Sequence, residues 1–197
     1  ISEYTKKIPK PMIEIVGKTI IEHIIQIYSN QLYNEFYILT GYKGNIIKKF
    51  FNKYKLRNNL YKFKDQDKKI KINFIHTGIN TMTGGRIKKL SKIIKNENFM
   101  VTYGDGLANI NLKKLLKFHK SHRKIATVTS VQPPSRYGIL DINFKKKNVV
   151  SSFNEKLKNK NYYINGGFFV LSKEIFKFIK DDQTVFEKNP LKNLVFK

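Results

Sequence analysis

An apolar run ending in Gly-Asp-Gly, FMVTYGDG from Phe99 to Gly106, sets Asp105 at a strand exit with glycines on both sides. In an open α/β sheet, ligands gather outside the carboxyl ends of the strands, and flanking glycines let a ligand approach the backbone. Mg²⁺ takes one or two protein carboxylates and fills its octahedron with phosphate oxygens and water, so Asp105 suits the metal of a nucleoside triphosphate. The plainer reading is a turn carboxylate, because Asp-Gly is a common turn pair.

A second cluster is TGINTMTGGRI, Thr77 to Ile87, a strand exit rich in glycine and hydroxyl residues that runs into a helix starting near Arg86. Free backbone N–H groups at such a loop can cradle an anion, and Arg86 adds a planar fork for a phosphate or a base edge. The loop lacks the Gly-Lys-Ser/Thr ending of a Walker loop and the dinucleotide G-x-G-x-x-G pattern. An ordinary glycine-containing turn is the competing reading. In IPKPM, Ile8 to Met12, flanking prolines hold the chain near extended geometry and aim Lys10, a compact charge for phosphate, although prolines also simply set the entry to a helix.

Further along stand RYGILD (Arg136 to Asp141), FNEK (Phe153 to Lys156) and INGGFFV (Ile164 to Val170). Two glycines inside a strand-like run are costly for a sheet, which points to a bulge or to close approach of a ligand. Glu155 can accept sugar hydroxyls, and Lys156 can neutralise a phosphate. The four histidines form no ligand spacing. His119 and His122, three apart with no carboxylate motif, read as structural or solvent-facing.

The elements that must hold these residues alternate in type. A helix is expected over Thr19–Leu32, with Ile20, Ile24, Ile27 and Tyr28 on one face, then a strand at Glu35–Thr40 and a helix at Asn45–Tyr54. Lys55–Lys69 reads as a polar loop. After it come a strand at Ile70–His76, a helix at Arg86–Ile94, a strand at Phe99–Tyr103, a helix at Leu112–Ser121 and a strand at Ala126–Val131. This order is that of βα repeats with a parallel sheet. The last third, with strand-like Gly138–Ile142, Val149–Phe153 and Tyr163–Leu171, lacks long intervening helices and reads as an antiparallel addition.

The chain of 197 residues is long enough for one sizeable α/β domain, 1–197, and shows no internal repeat or linker. It holds no cysteine, which excludes a disulfide framework, a thiol nucleophile and any sulfur-based zinc site, and is compatible with a cytoplasmic setting. No apolar run approaches the ~20 residues of a membrane span. The first residue is Ile1 and the opening lacks a signal peptide's apolar core, so the chain reads as a piece of a longer one. The net charge of +25 points naively to nucleic acid or an anionic membrane. Yet the cations are 35 Lys against 4 Arg, whereas base readout and bidentate phosphate clamps favour arginine. Lys, Ile, Asn, Phe and Tyr, all abundant, share A/T-rich codons, so genomic composition accounts for much of the charge.

Taken as a set, KIPKPMIEI (Lys7 to Ile15), GYKG (Gly41 to Gly44), TMTGGR (Thr81 to Arg86), TYGDG (Thr102 to Gly106), RYGILD, FNEK and INGGFFVL resemble the sugar-nucleotide pyrophosphorylases. The likeness runs in order over nearly the whole chain. It is closest to the glucose-1-phosphate cytidylyltransferase branch, for which TMTGGR and INGGFF are specific; KPM and GDG are shared more widely.

The resemblance implies a Rossmann-like, doubly wound mixed sheet of the glycosyltransferase-A-like nucleotidyltransferase type. It also implies a Mg²⁺-dependent reaction in which glucose 1-phosphate attacks CTP to give CDP-glucose and pyrophosphate. Carried onto this chain, Lys10 neutralises the reacting phosphates, Asp105 holds Mg²⁺, and Thr81, Arg86 and Gly104 border the nucleotide. Gly138, Glu155, Lys156, Asn165 and Gly166 surround the sugar phosphate. A homo-oligomer is implied as well, with neither nucleic acid nor membrane as partner. Two parts of the pattern are not met: the opening strand with its G-G-x-G-T-R loop is expected before Ile1, and a second metal-binding Asp after the end of the chain. The alternatives are a thymidylyl- or uridylyltransferase of the same fold, and a basic nucleic-acid-binding module using the 11 Tyr and 15 Phe for stacking.

Overall fold

The computed structural model describes residues 8–63, 68–132, 139–143, 149–154 and 163–195. A small antiparallel hairpin, β1 (Glu14–Ile15) and β2 (Lys18–Thr19), leads into α1 (Ile20–Ser29). Thr19 caps this helix reciprocally. Its hydroxyl accepts the Glu22 N–H, and the Glu22 carboxylate accepts the Thr19 N–H at 2.8 Å, so two of the orphan donors of the first turn are satisfied. The helix ends at Ser29, short of the expected Leu32, where the backbone swings to φ 76°.

The strands expected at 35–40 and 70–76 are present with those bounds as β3 (Glu35–Thr40) and β6 (Ile70–His76). They pair in parallel from Glu35 opposite Lys71 to Thr40 opposite His76, so their carboxyl ends emerge side by side. Between them lie α2 (Gly44–Phe51), a 3₁₀ turn (Asn52–Tyr54) and two short strands, β4 (Lys55–Arg57) and β5 (Leu60–Tyr61). The expected polar loop over 55–69 is therefore corrected in its first half: β5 pairs antiparallel with β6 and extends that sheet to the order β3-β6-β5-β4. The pattern was hidden because β4 is only three residues long and exposed throughout, so its pairing has no buried face to mark it.

The remaining described elements are α3 (Thr83–Lys88), β7 (Asn98–Val101), α4 (Leu112–His122), β8 (Ala126–Val131), β9 (Ile139–Asn143), β10 (Val149–Asn154), β11 (Ile164–Ser172), a 3₁₀ helix (Lys173–Phe178) and α5 (Asn189–Val195). β9 and β10 form an antiparallel hairpin. β11 is antiparallel as expected, and it lies between β7 and β8. Its pairing with β8 shifts register between Asn165 and Phe169, the bulge anticipated from the two glycines. Gly167 takes φ 82°, a conformation that glycine reaches without steric cost. Among the described residues, no helix is long and apolar enough to cross a membrane.

Three apolar clusters fix these elements. The largest joins α1 and α2 to the β3-β6-β5 sheet through Ile21, Ile25, Phe51, Phe63, Ile70 and Ile72, with Phe51 wholly buried. A second packs β11 against the C-terminal segment through Phe169, Leu171, Ile175, Ile179 and Phe186. The third joins α1 and α4 over Phe168, on which Tyr28 stacks at 6.1 Å.

His119 and His122 belong to the framework. The Lys124 N–H donates to His122 Nδ1 at 2.9 Å, so the network assigns His122 its proton on Nε2, which donates to Thr127 Oγ1 at 2.7 Å. The Thr127 hydroxyl then donates to His119 Nδ1 at 2.9 Å, and His119 Nε2–H to Asn98 Oδ1 at 3.0 Å. Burial, and then the neighbouring His122, hold the His119 imidazole below its ordinary pKa. The pair thus ties α4 to β7 and β8.

Candidate functional site

At the exit of β7 the backbone leaves the sheet as Thr102-Tyr103-Gly104-Asp105. The segment around Lys10 meets it there. Pro9 is extended, and Lys10–Met12 close a single 3₁₀ turn in which the Met12 N–H donates to Pro9 O at 2.9 Å. Met12 is buried in the first cluster, and a Cβ on Gly104 would stand 2.9 Å from Pro11 Cγ. The prolines therefore do hold Lys10, but as a turn clamped against the β7 exit instead of an extended arm. Lys10 Nζ comes to 3.7 Å from Asp105 Oδ2, with the side chains 60% and 44% exposed. A pair this open contributes little to stability and leaves both charges accessible to a ligand.

The glycines around Asp105 serve two different ends. Gly104 packs against Pro11, which leaves no room for a side chain there. Gly106 faces open space. Asp105 itself is exposed, and among the described residues no three His, Cys, Asp or Glu side chains converge. A lone carboxylate beside a glycine facing open space fits a hard cation that draws its other ligands from phosphate and water.

The second group forms where β3 and β6 emerge together. The Thr77 N–H and hydroxyl both donate to Thr40 O, at 2.8 and 2.9 Å, and the Thr81 hydroxyl donates to Thr77 O at 2.6 Å. Arg86 reaches back from α3 to donate through Nη1 to Thr77 Oγ1, and its guanidinium lies on Gly41, where a Cβ would meet Nη1 and Nη2 at 2.5 Å each. Burial lowers the Arg86 pKa from its ordinary value. Thr81 and Arg86 are thus brought together by Thr77, a residue that sequence spacing did not nominate.

Three of the donors expected to form an anion cradle at this loop are engaged within the protein. The helix starts at Thr83, three residues before the expected Arg86, and ends at Lys88. The Met82 N–H donates to Asp182 O at 2.8 Å, and the Gly84 and Gly85 N–H groups donate to Thr184 O at 2.9 and 3.2 Å. Those donors are therefore already spent. The glycines let α3 lie directly on the 182–186 segment, since a Cβ on Gly85 would stand 2.5 Å from Asp182 O. Gly85→Ala should accordingly destabilise the protein by about 1–3 kcal/mol, because the obstruction is backbone and cannot rotate away. A urea titration with an unchanged midpoint would show that α3 is not seated as described.

The third group links β11 to both. Asn165 Nδ2 donates to the Tyr103 hydroxyl at 3.0 Å, and Asn165 Oδ1 accepts the Gly167 N–H at 2.8 Å. The Tyr103 hydroxyl donates to Glu187 Oε1 at 2.7 Å, while Glu187 Oε2 accepts from the Thr83 hydroxyl at 2.7 Å. Burial, and then the Glu187 carboxylate, push the Tyr103 pKa up. Gly166 and Gly167 are required by neighbours: a Cβ would stand 2.9 Å from Thr129 O at the first and 2.7 Å from Tyr103 Cδ2 at the second. Close ligand approach is not needed to account for either. Gly138, Glu155 and Lys156 lie outside the described residues. An open depression of about 560 Å³ lined by Glu187, Leu191, Lys192 and Val195, among others, is bordered by none of the seven nominated residues that are described.

Neither Tyr103 nor Glu187 was nominated from sequence. Tyr103 sits inside the TYGDG motif, but Glu187 is 84 positions away with no motif around it, and only the folded chain joins them.

Comparison with known proteins adds to this geometry. The family model for nucleotidyl transferases matches residues 2–193. A protein of Bacillus subtilis strain 168 named as a probable glucose-1-phosphate cytidylyltransferase is 41% identical over 203 residues, covering 98% of this chain and 78% of its own. The glucose-1-phosphate cytidylyltransferase of Salmonella typhimurium is 40% identical, with 98% and 79% covered. The crystal structure of HddC from Yersinia pseudotuberculosis complexed with GMP-PN superposes with a TM-score of 0.66 at 28% identity, covering 92% of this chain and 75% of that one.

Proposed function

Because the chain belongs to the nucleotidyl transferase family, we propose that it transfers a cytidylyl group from CTP to α-D-glucose 1-phosphate. A phosphate oxygen of the sugar phosphate attacks the α-phosphorus of CTP. The bond to the β-phosphate bridging oxygen breaks, and pyrophosphate leaves with that electron pair as CDP-glucose forms. The observation that carries the reading is the convergence of Lys10 and Asp105, held 3.7 Å apart outside one strand, in a chain whose relatives at about 40% identity bear that activity in their names.

No covalent intermediate on the protein is needed, so positioning and charge neutralisation do the catalysis. Lys10 offers its ammonium to the phosphates as negative charge moves onto the leaving group. Thr81, Arg86 and Gly104 border the nucleotide, and of the five guanidinium donors of Arg86, Thr77 takes one. Gly138, Glu155, Lys156, Asn165 and Gly166 surround the sugar phosphate. Asp105 would hold Mg²⁺, which when bound neutralises phosphate charge and polarises the phosphoryl oxygens. The protein acts as one nucleotidyltransferase domain within a cytoplasmic homo-oligomer in nucleotide-sugar biosynthesis, the step that supplies O-antigen and lipopolysaccharide assembly.

Pyrophosphate release from each of CTP, UTP, dTTP, ATP and GTP with glucose 1-phosphate and Mg²⁺ tests the reading. CTP should exceed every other nucleotide by at least about tenfold in kcat/KM, the discrimination that one or two base-edge hydrogen bonds provide. A preference for UTP or dTTP would reassign the base.

A further inference from the structure

We propose that Glu187 is a positioning residue that fixes the orientation of the Asn165 amide toward the sugar phosphate; the inference rests on the reading that Asn165 borders that substrate. An ionised carboxylate only accepts hydrogen bonds, so it sets the direction of every bond in the chain that ends on it. Tyr103 has a single hydroxyl proton, and Glu187 Oε1 takes it at 2.7 Å. The Tyr103 oxygen can therefore meet Asn165 only as an acceptor. Asn165 must turn Nδ2 toward it, at 3.0 Å, which leaves Oδ1 for the Gly167 N–H at 2.8 Å. Each amide atom is thus assigned. The second Nδ2 proton is left as a donor of fixed direction, suited to a sugar hydroxyl or an ester phosphate oxygen. Without Glu187 the Tyr103 proton could point to Asn165 instead, which sets donor against donor at Nδ2 and leaves the amide held by the Gly167 N–H alone.

The other carboxylate oxygen of Glu187 accepts from Thr83 at 2.7 Å, at the start of the helix that carries Arg86. That side is held redundantly. The Phe186 N–H donates to Thr83 Oγ1 at 2.9 Å, and the Met82, Gly84 and Gly85 N–H groups bond the 182–184 segment. Losing Glu187 should therefore be felt on the sugar side and hardly on the nucleotide side.

Glu187→Ala and Tyr103→Phe should each raise the KM for glucose 1-phosphate by about tenfold while the KM for CTP stays within about twofold, the scale of one oriented hydrogen bond. The double variant should be no worse than either single one, since both break the same chain. Glu187→Gln should restore most of the loss, because its amide oxygen still accepts the Tyr103 proton. Tyr103→Phe keeps the ring that packs on Gly167 and so guards against simple misfolding. Both KM values rising together, neither rising, or additive losses in the double variant would overturn the proposal.

Wild-type protein that releases no pyrophosphate from CTP and glucose 1-phosphate would sink the functional reading instead. The network is then judged from the ¹⁵N–¹H resonances of the Asn165 side-chain amide. These should move in Tyr103→Phe and Glu187→Ala and stay near the wild-type position in Glu187→Gln; no movement in the first two would overturn the positioning role as well.

Discussion

Asp105→Asn should lower Mg²⁺-dependent nucleotidyl transfer by about 10²- to 10³-fold or more, the scale of removing one preorganised electrostatic group. The substitution keeps the shape of the side chain and removes its charge, so a neutral amide oxygen is left where a hard cation needs an anionic one. Stability should change by no more than about 0.5–1 kcal/mol, since the Asp105 side chain is 44% exposed and its ion-pair partner is the still more exposed Lys10 at 3.7 Å. Two measurements separate the roles. Pyrophosphate release titrated with Mg²⁺ should need far more metal or fail altogether, while the urea midpoint stays close to that of the wild type. Turnover like that of the wild type at ordinary Mg²⁺ would remove Asp105 from the metal site and return it to the status of a turn carboxylate.

Where the sequence was readable, a local signal coincided with a tertiary demand. Thr19 and Glu22 sit at capping-box spacing, and the helix begins there. The strands at 35–40 and 70–76 are β-branched and aromatic runs bounded by turn residues, and they carry those bounds in the fold. The misreadings arise where a residue's reason lies in a distant segment. Gly84 and Gly85 look like a loop, yet they are the first turn of a helix pressed on residues 182–184, about a hundred positions away. Nothing near them in the chain announces that contact. β11 reads correctly as antiparallel, but its insertion between β7 and β8 is a property of the topology and not of any one segment's periodicity.

The candidate site divides in the same way. Lys10 and Asp105 were legible because each lies in a short motif whose backbone constraint is local, a proline pair and a glycine pair. Their meeting, with Pro11 seated on Gly104, required the fold. Thr77 and Glu187 were illegible. The first opens the hydroxyl-rich cluster but was given no role of its own, though both Thr81 and Arg86 use it as a hub, and the second is a glutamate among surface charges that becomes the acceptor for two hydroxyls from separate elements.

Lys10→Ala should lower kcat/KM by about 10²-fold or more, with kcat falling at least as much as the KM for CTP rises. The backbone under the side chain is fixed before any ligand arrives. Pro9 fixes the entry, the Met12 N–H closes the turn on Pro9 O at 2.9 Å, Met12 is buried in the core, and Pro11 rests on Gly104. The backbone under Lys10 is thus anchored at several points while its side chain stays 60% exposed. A charge held in advance costs no reorganisation when the reaction occurs, so its value grows as negative charge passes from the α-phosphoryl group to the departing pyrophosphate. That growth is differential binding of the transition state, which lowers kcat when lost, whereas uniform binding would show only in KM. Lys10→Arg should recover little, because a planar fork spreads its charge and presents its donors in a fixed geometry where a compact ammonium is used. Steady-state kinetics with CTP and glucose 1-phosphate decide the matter. An unchanged kcat with a raised KM would reduce Lys10 to ground-state binding of the triphosphate, and no change in either would leave the Pro-Lys-Pro turn as a structural entry to the hairpin and helix that follow.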